Sequence, residues 1–443
     1  MTLSRRSFFR LAGASAAGTL LASPLKNLLA RKAVGQSIQA TGFGSLIPDP
    51  QGLLDLPAGF TYKAFSRMGD TMSDGNRVPG DHDGMAAFPG LEGNTILVRN
   101  HELSPDEVSK FGIAASNLQK YDPLCLGGTT TLIVAPNGEL LKDYSSLAGT
   151  CRNCAGGATP WGSWISCEED VSTPAGNHPN NPKNVSKKHG YNFEVPAGSE
   201  LVNPVPLVAM GRFYHEGIAV DPKTGIVYQT EDREDSLFYR FIPQEPGNLV
   251  AGGVLEALKI KDLPQAKTFA NFPVGKPMAV EWVRIEDVDP EEDTVRREGF
   301  AKGATQFTRG EGIIYRNNEV YFSCTNGGSK KYGQIWRYIP GGSTVEGGML
   351  ELFLESDDPL LLENPDNLTL SPFGDLIVCE DGGGKQFLVG VTPQGKLYHL
   401  AQNALNSSEF AGVCFSPDGR IMFVNIQYPG ITFAIQGPWG NKE

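Results

Sequence analysis

Acidic residues recur in this 443-residue chain at two fixed places relative to short strand-like runs. Asp83, Glu216, Glu311 and Asp366 each stand at the start of an apolar run. Asn100-His101-Glu102, Cys167-Glu168-Glu169, Glu231-Asp232 and Glu380-Asp381 each close a β-branched or aromatic run. Carboxylates held together raise one another's pKa unless a cation neutralises them. A ring of Asp and Glu oxygens suits Ca²⁺, which takes about six to eight oxygen ligands. A thiolate at Cys167, or an imidazole at His101 or His215, would add the softer donors that transition metals favour. Arg309 lies two residues before Glu311. Its planar fork suits a paired contact to phosphate or carboxylate; a salt bridge that orients Glu311 is the structural alternative.

Six segments share the plan that would bring these residues together. Each is an apolar strand, a Pro/Gly/Asn turn, and a β-branched or aromatic strand. They start near Asp83, Gly156, His215, Gly310, Pro365 and Ala411. Strand residues around such turns read as hairpins. Further strands follow some of them, as in Leu237 to Phe241 and Gln334 to Ile339. About four strands per unit is the blade of a propeller. The expectation is an all-β, six-bladed β-propeller with long inter-blade loops. Large insertions fall near Glu102 to Leu118, Val171 to Lys188 and Lys259 to Thr308. A β-sandwich with insertions is the alternative, but it does not account for six copies. In a hairpin the start of the first strand and the end of the second lie together, so the acidic sets should meet at one mouth of the channel.

Composition agrees. Gly 53 and Pro 31 make about 19% of the chain, which favours many tight turns over long helices. The net charge of -12 argues against nucleic acid as a partner and is compatible with bound cations. Ser4-Arg5-Arg6-Ser7-Phe8-Phe9-Arg10 and the mildly apolar Leu11 to Ala22 read as a twin-arginine export signal. Residues 1–45 are therefore expected to be a signal and linker, and 46–443 a single propeller domain. The export machinery would be a partner, and the location periplasmic or extracellular. No later run is long and apolar enough to span a bilayer. The seven cysteines form no dense framework, and Cys151-Arg-Asn-Cys154 supplies only two of the four ligands that zinc needs.

Several strings are similar to the PhoX-type alkaline phosphatases of bacteria. They include Cys154-Ala155-Gly156-Gly157, Thr159-Pro160-Trp161-Gly162-Ser163-Trp164 and Ile165-Ser166-Cys167-Glu168-Glu169. Gly211 to Gly217, Arg309-Gly310-Glu311-Gly312, Asn364-Pro365-Asp366-Asn367 and Phe415 to Gln427 complete the set. The resemblance runs from about Leu53 to Gln436. It implies a six-bladed propeller with an iron and calcium cofactor that hydrolyses small phosphate monoesters. On these motifs the metal ligands fall on Cys167, Glu168, Glu216, Glu311 and Asp366, with Arg309 and Asn100 as catalytic contacts. A calcium-dependent lactonase or esterase propeller, and a non-catalytic exported metal-binding propeller, are the rival readings.

Overall fold

The computed structural model describes residues 38–174, 185–343 and 347–440; the twin-arginine stretch lies outside them. Six antiparallel units follow one another round a ring, each led by an inner hairpin. The hairpins are His82–Pro89 with Thr95–His101, Asn153–Ala158 with Ser163–Glu168, and His215–Val220 with Val227–Glu231. Gly310–Arg316 with Glu319–Cys324, Pro365–Leu370 with Leu376–Glu380, and Phe410–Phe415 with Ile421–Ile426 complete the set. The first strand of each hairpin packs against the first strands of both neighbours, and the sixth packs against the first. The arrangement is the expected propeller, and no sandwich is present among the described residues.

The blades are held by six apolar layers, one in each gap between neighbours. Period-2 alternation makes this possible, because each strand offers one face to either adjoining blade. Between the third and fourth blades, Phe238 and Phe322 stack 4.4 Å apart with parallel rings. Each such fully buried side chain is worth about 1.5–3 kcal/mol, so the ring is held by the layers between blades more than by any one sheet.

Closure comes from the chain ends. Thr61–Phe65 supplies the outer strand of the sixth blade, pairing with Ile431–Gln436. Ile38–Gln39 pairs in parallel with Lys396 and Leu397 of the fifth. The stretch from Lys259 to Thr308, expected to be a large insertion, contains Met278–Arg284 and the helix Val295–Ala301. That strand joins the outer edges of the third and fourth blades into one nine-stranded sheet. No helix among the described residues is long and apolar enough to cross a membrane.

Candidate metal centre

All six inner hairpins carry the same irregularity. The register slips just after the channel-side end of the first strand, between His82 and Met85, His215 and Ile218, Gly310 and Ile313, and Pro365 and Leu368. It does so again opposite Ser166 and Glu168 and between Ala411 and Cys414. A bulge leaves a residue off the ladder and re-aims its side chain. The bulged position holds Asp83, Cys154, Glu216, Glu311 and Asp366 in turn; in the sixth blade Ala411 stays paired with Asn425 and the slip falls on Gly412 and Val413. Five of the six blades thus present a metal donor at the channel mouth.

A second ring stands at the end of the second strand of each hairpin: Glu102, Glu169, Asp232, Thr325, Asp381 and Gln427. In the second, third and fifth blades the residue before it holds the loop to the third strand. Glu168 accepts from the backbone N–H of Gly190 (2.9 Å) and Tyr191 (3.2 Å). Glu231 does the same for Leu237, and Glu380 for Phe387. Glu409 joins the two rings electrostatically.

The two rings and Glu409 bring together nine carboxylates and the Cys154 thiol, with two guanidinium groups among them. Within this group, ligand atoms of Cys154, Glu169 and Glu216 lie within 4.8 Å of one another, as do those of Glu216, Glu311 and Asp366. Glu216 belongs to both sets. Burial, then the charges of Glu311, Asp366, Glu169 and Asp83, hold the Glu216 carboxyl well above its usual range. Burial and like charges do the same to Asp83, Glu169 and Glu311 and push Asp366 up to about 8. Burial followed by Glu216 and Glu169 raises the Cys154 thiol. Buried acids crowded against acids fit a polycationic occupant, whose charge would reverse these shifts. The donor set therefore fits the metals that the family resemblance implies: one cluster has a sulfur and the other has oxygen alone.

The guanidinium groups belong to Arg309 and Arg152. Arg309 forks onto Asp232 (Nε to Oδ1 2.8 Å, Nη2 to Oδ2 3.0 Å) and also reaches Glu311 Oε1 at 2.8 Å. Arg152 bridges Glu102 (2.6 Å) and Glu169 (2.5 Å). Both precede a first strand, and both hold left-handed backbone, with φ of 43° and 48°. A non-glycine residue there costs about 1–2 kcal/mol, a strain typical of functional sites.

Three expectations change on this geometry. Cys167 does not reach the funnel: it is fully buried in the apolar layer between the second and third blades, beside Ile165, Phe213 and Ile218. Glu168 is turned onto His189 Nδ1 (2.7 Å) and the loop. Their places in the cluster are taken by Cys154 and Glu169. The hairpin starts at Asn153, three residues earlier than the sequence pattern places it, so Cys154 rather than any residue of Ile165 to Glu169 is the counterpart of Glu216. Setting Asn153-Cys154-Ala155-Gly156 against His215-Glu216-Gly217-Ile218 would have exposed it.

Asn100 is the third. Its Nδ2 donates to the carbonyls of Cys154 (3.0 Å) and Ala155 (2.6 Å), and its Oδ1 accepts from Trp164 Nε1 (2.8 Å) and Ser166 Oγ (2.9 Å). Fully buried and fully bonded, it positions Cys154 and does not meet a substrate. The same inter-blade bond recurs from Thr230 to the Glu311 carbonyl, Ser323 to Asp366 and Asn425 to Asp83. Glu216, Glu311, Asp366 and Arg309 stand together in the funnel as the sequence places them. His101 and His215 are turned onto the Gly80 and Gly211 carbonyls.

A family model described as alkaline phosphatase PhoX matches residues 41–143 and 129–430. No curated protein matches the sequence. Among solved structures, Pseudomonas fluorescens PhoX in complex with vanadate, a transition state analogue, superimposes with a TM-score of 0.65. The two are 18% identical, over 91% of this chain and 98% of that one, which establishes a shared fold. A gluconolactonase from Xanthomonas campestris is 12% identical over 89% of this chain and 98% of its own, with a TM-score of 0.40. Virginiamycin B lyase from Staphylococcus aureus is 10% identical over 85% and 99%, with 0.38. Likeness at those scores carries no functional argument. With the family model matched over most of its length, and the fold shared with a solved PhoX, the chain belongs to the alkaline phosphatase PhoX family of metal-dependent phosphatases.

Proposed function

We propose that the funnel holds iron and calcium and hydrolyses small phosphate monoesters. The observation that carries this is the pair of joined clusters with two arginines beside them. Cys154, Glu169 and Glu216 offer a mixed sulfur and oxygen set that suits iron. Glu216, Glu311 and Asp366 offer the oxygen-only set that suits calcium. Bound metal ions supply positive charge that draws in phosphate oxygens and eases deprotonation of water.

The chain's own residues orient the reaction. Arg309 is held in one plane by Asp232 and has a side chain 31% exposed, so its fork is fixed before a phosphate arrives. Prior orientation aimed at developing charge is what lowers a barrier. Arg152 sits in the same way against Glu102 and Glu169. The sole hydroxyl in the two rings is that of Thr325, which donates to the Pro365 carbonyl (3.2 Å). Thr325 is thus engaged with the next blade, and this reading assigns the attack on phosphorus to water. In this reading the twin-arginine stretch exports the protein to the periplasm or beyond.

The test is hydrolysis of a chromogenic phosphate monoester alongside elemental analysis. Activity should track iron and calcium, disappear on chelation, and return when both metals are restored. Hydrolysis that persists in a protein stripped of both metals would overturn the reading.

A further inference from the structure

A second group of donors lies away from the funnel, between the first and second blades. Cys125, Cys151, His189 and Asp122 are each fully buried. Ligand atoms of Asp122, Cys125 and His189 lie within 4.8 Å of one another, and Cys151 packs with Cys125 in one small buried cluster. His189 Nδ1 is committed to Glu168 Oε1 at 2.7 Å. That leaves Nε2 facing Cys125 Sγ at 3.5 Å and Asp122 Oδ2 at 3.4 Å. An N–H···O bond prefers about 2.7–3.2 Å, so Nε2 is too far from the carboxylate for a good one. Tetrahedral zinc, with Zn–S about 2.3 Å and Zn–N or Zn–O about 2.0–2.1 Å, sets neighbouring N and S about 3.5 Å apart and N and O about 3.4 Å apart.

We propose that Cys125, Cys151, His189 and Asp122 form a closed structural site for zinc, separate from the funnel metals. Asp122, Cys125 and His189 are gathered as three ligands, and Cys151, beside Cys125 but outside that 4.8 Å group, would close in as the fourth of a set of two sulfurs, one imidazole and one carboxylate, the four-coordinate kind that zinc takes. Glu168 on the far ring nitrogen is the outer carboxylate that fixes the tautomer of a zinc-bound histidine. Asp122 is already anchored by the backbone N–H groups of Leu124, Ser186 and Lys187. Both thiols release their protons on binding, so affinity rises with pH. The site also braces the funnel. Cys151 immediately precedes Arg152, and Glu168 immediately precedes Glu169. The C-x-x-C pair is thus divided, Cys151 to zinc and Cys154 to the funnel.

Two measurements on the unaltered full chain come first. Produced with zinc and dialysed, it should keep about one zinc per chain beyond what Cys125→Ser keeps. After zinc removal and denaturation, all seven cysteines should react with a thiol reagent. Five reactive thiols would mean one disulfide, and peptide mapping that places Cys125 or Cys151 in it would overturn the proposal. Cobalt loaded in place of zinc should show thiolate charge-transfer absorption that Cys154→Ser keeps and Cys125→Ser loses. Absorption lost in Cys154→Ser instead would place the metal in the funnel and sink the idea. Glu168→Gln should keep the site but weaken zinc by about 10–100-fold. If Cys125→Ser does not fold, the thiol count and the Cys154→Ser spectrum decide alone.

Discussion

Stripping the funnel of metal should make the protein's stability fall as pH rises, and Asp366 is where the effect can be isolated. Its carboxyl is pushed up to about 8 in the metal-free fold, against 3.8 for a free aspartate such as the unfolded chain exposes. Between those values the folded state binds the extra proton, so stability declines with rising pH and is flat below and above. Each unit is worth about 1.36 kcal/mol, and roughly four units give about 5 kcal/mol as an upper figure for this one group. Asp366→Asn removes the titration while keeping an oxygen to accept the 3.1 Å bond from Asn367 Nδ2. Urea unfolding of chelated protein at pH 5 and pH 8 is the assay. Chelated wild type should lose stability from pH 5 to pH 8, and Asp366→Asn should lose markedly less. At pH 8 the variant should be the more stable of the two apo proteins. Metal-loaded wild type should be steeply stabilised over its own apo form at pH 8, since binding to the native state alone adds stability. Glu231 and Glu380, also pushed up to about 8 by burial, add a decline that metals do not remove, so the comparison must be between variants. If chelated Asp366→Asn is less stable than chelated wild type at pH 8, the crowding argument is wrong.

Cys154→Ser should fold and lose the sulfur-ligated metal together with activity, as read by elemental analysis and turnover. Cys167→Ser should leave metal content unchanged and lower stability by about 1–3 kcal/mol, because it puts a hydroxyl into an apolar layer. Asn100→Ala strips bonds from two carbonyls, Trp164 Nε1 and Ser166, and should cost about 2–4 kcal/mol in denaturant unfolding. Arg309→Lys should keep its metals yet lose about 2–4 kcal/mol in kcat/KM, since an ammonium cannot reproduce the planar fork. A fully metallated lysine variant with undiminished kcat/KM would remove Arg309 from the mechanism.

The repeated hairpins were legible because strand alternation and turn residues are local properties. His215–Val220 and Pro365–Leu370 begin and end where the pattern puts them. Asp83, Glu216, Glu311 and Asp366 were visible as one set because each stands at the start of such a strand. The second blade hid its donor because its first strand, Asn153–Ala158, is nearly all small residues and lacks an apolar signature. Cys167, in a strong strand, drew attention instead. Only the packed ring decides that Cys167 faces an apolar layer while Glu169, two residues on, faces the funnel. The bulges set the direction of the inner donors, and a bulge is a relation between two strands that one strand's sequence does not carry. The ring likewise decides that Asn100 fixes Cys154, since its partners are 54 and 55 residues away. It brings Arg152 beside Glu102 and Glu169, and Cys125 beside Cys151 and His189. Residue type and local spacing determined which groups could do chemistry; the long-range contacts of the closed ring determined which of them meet.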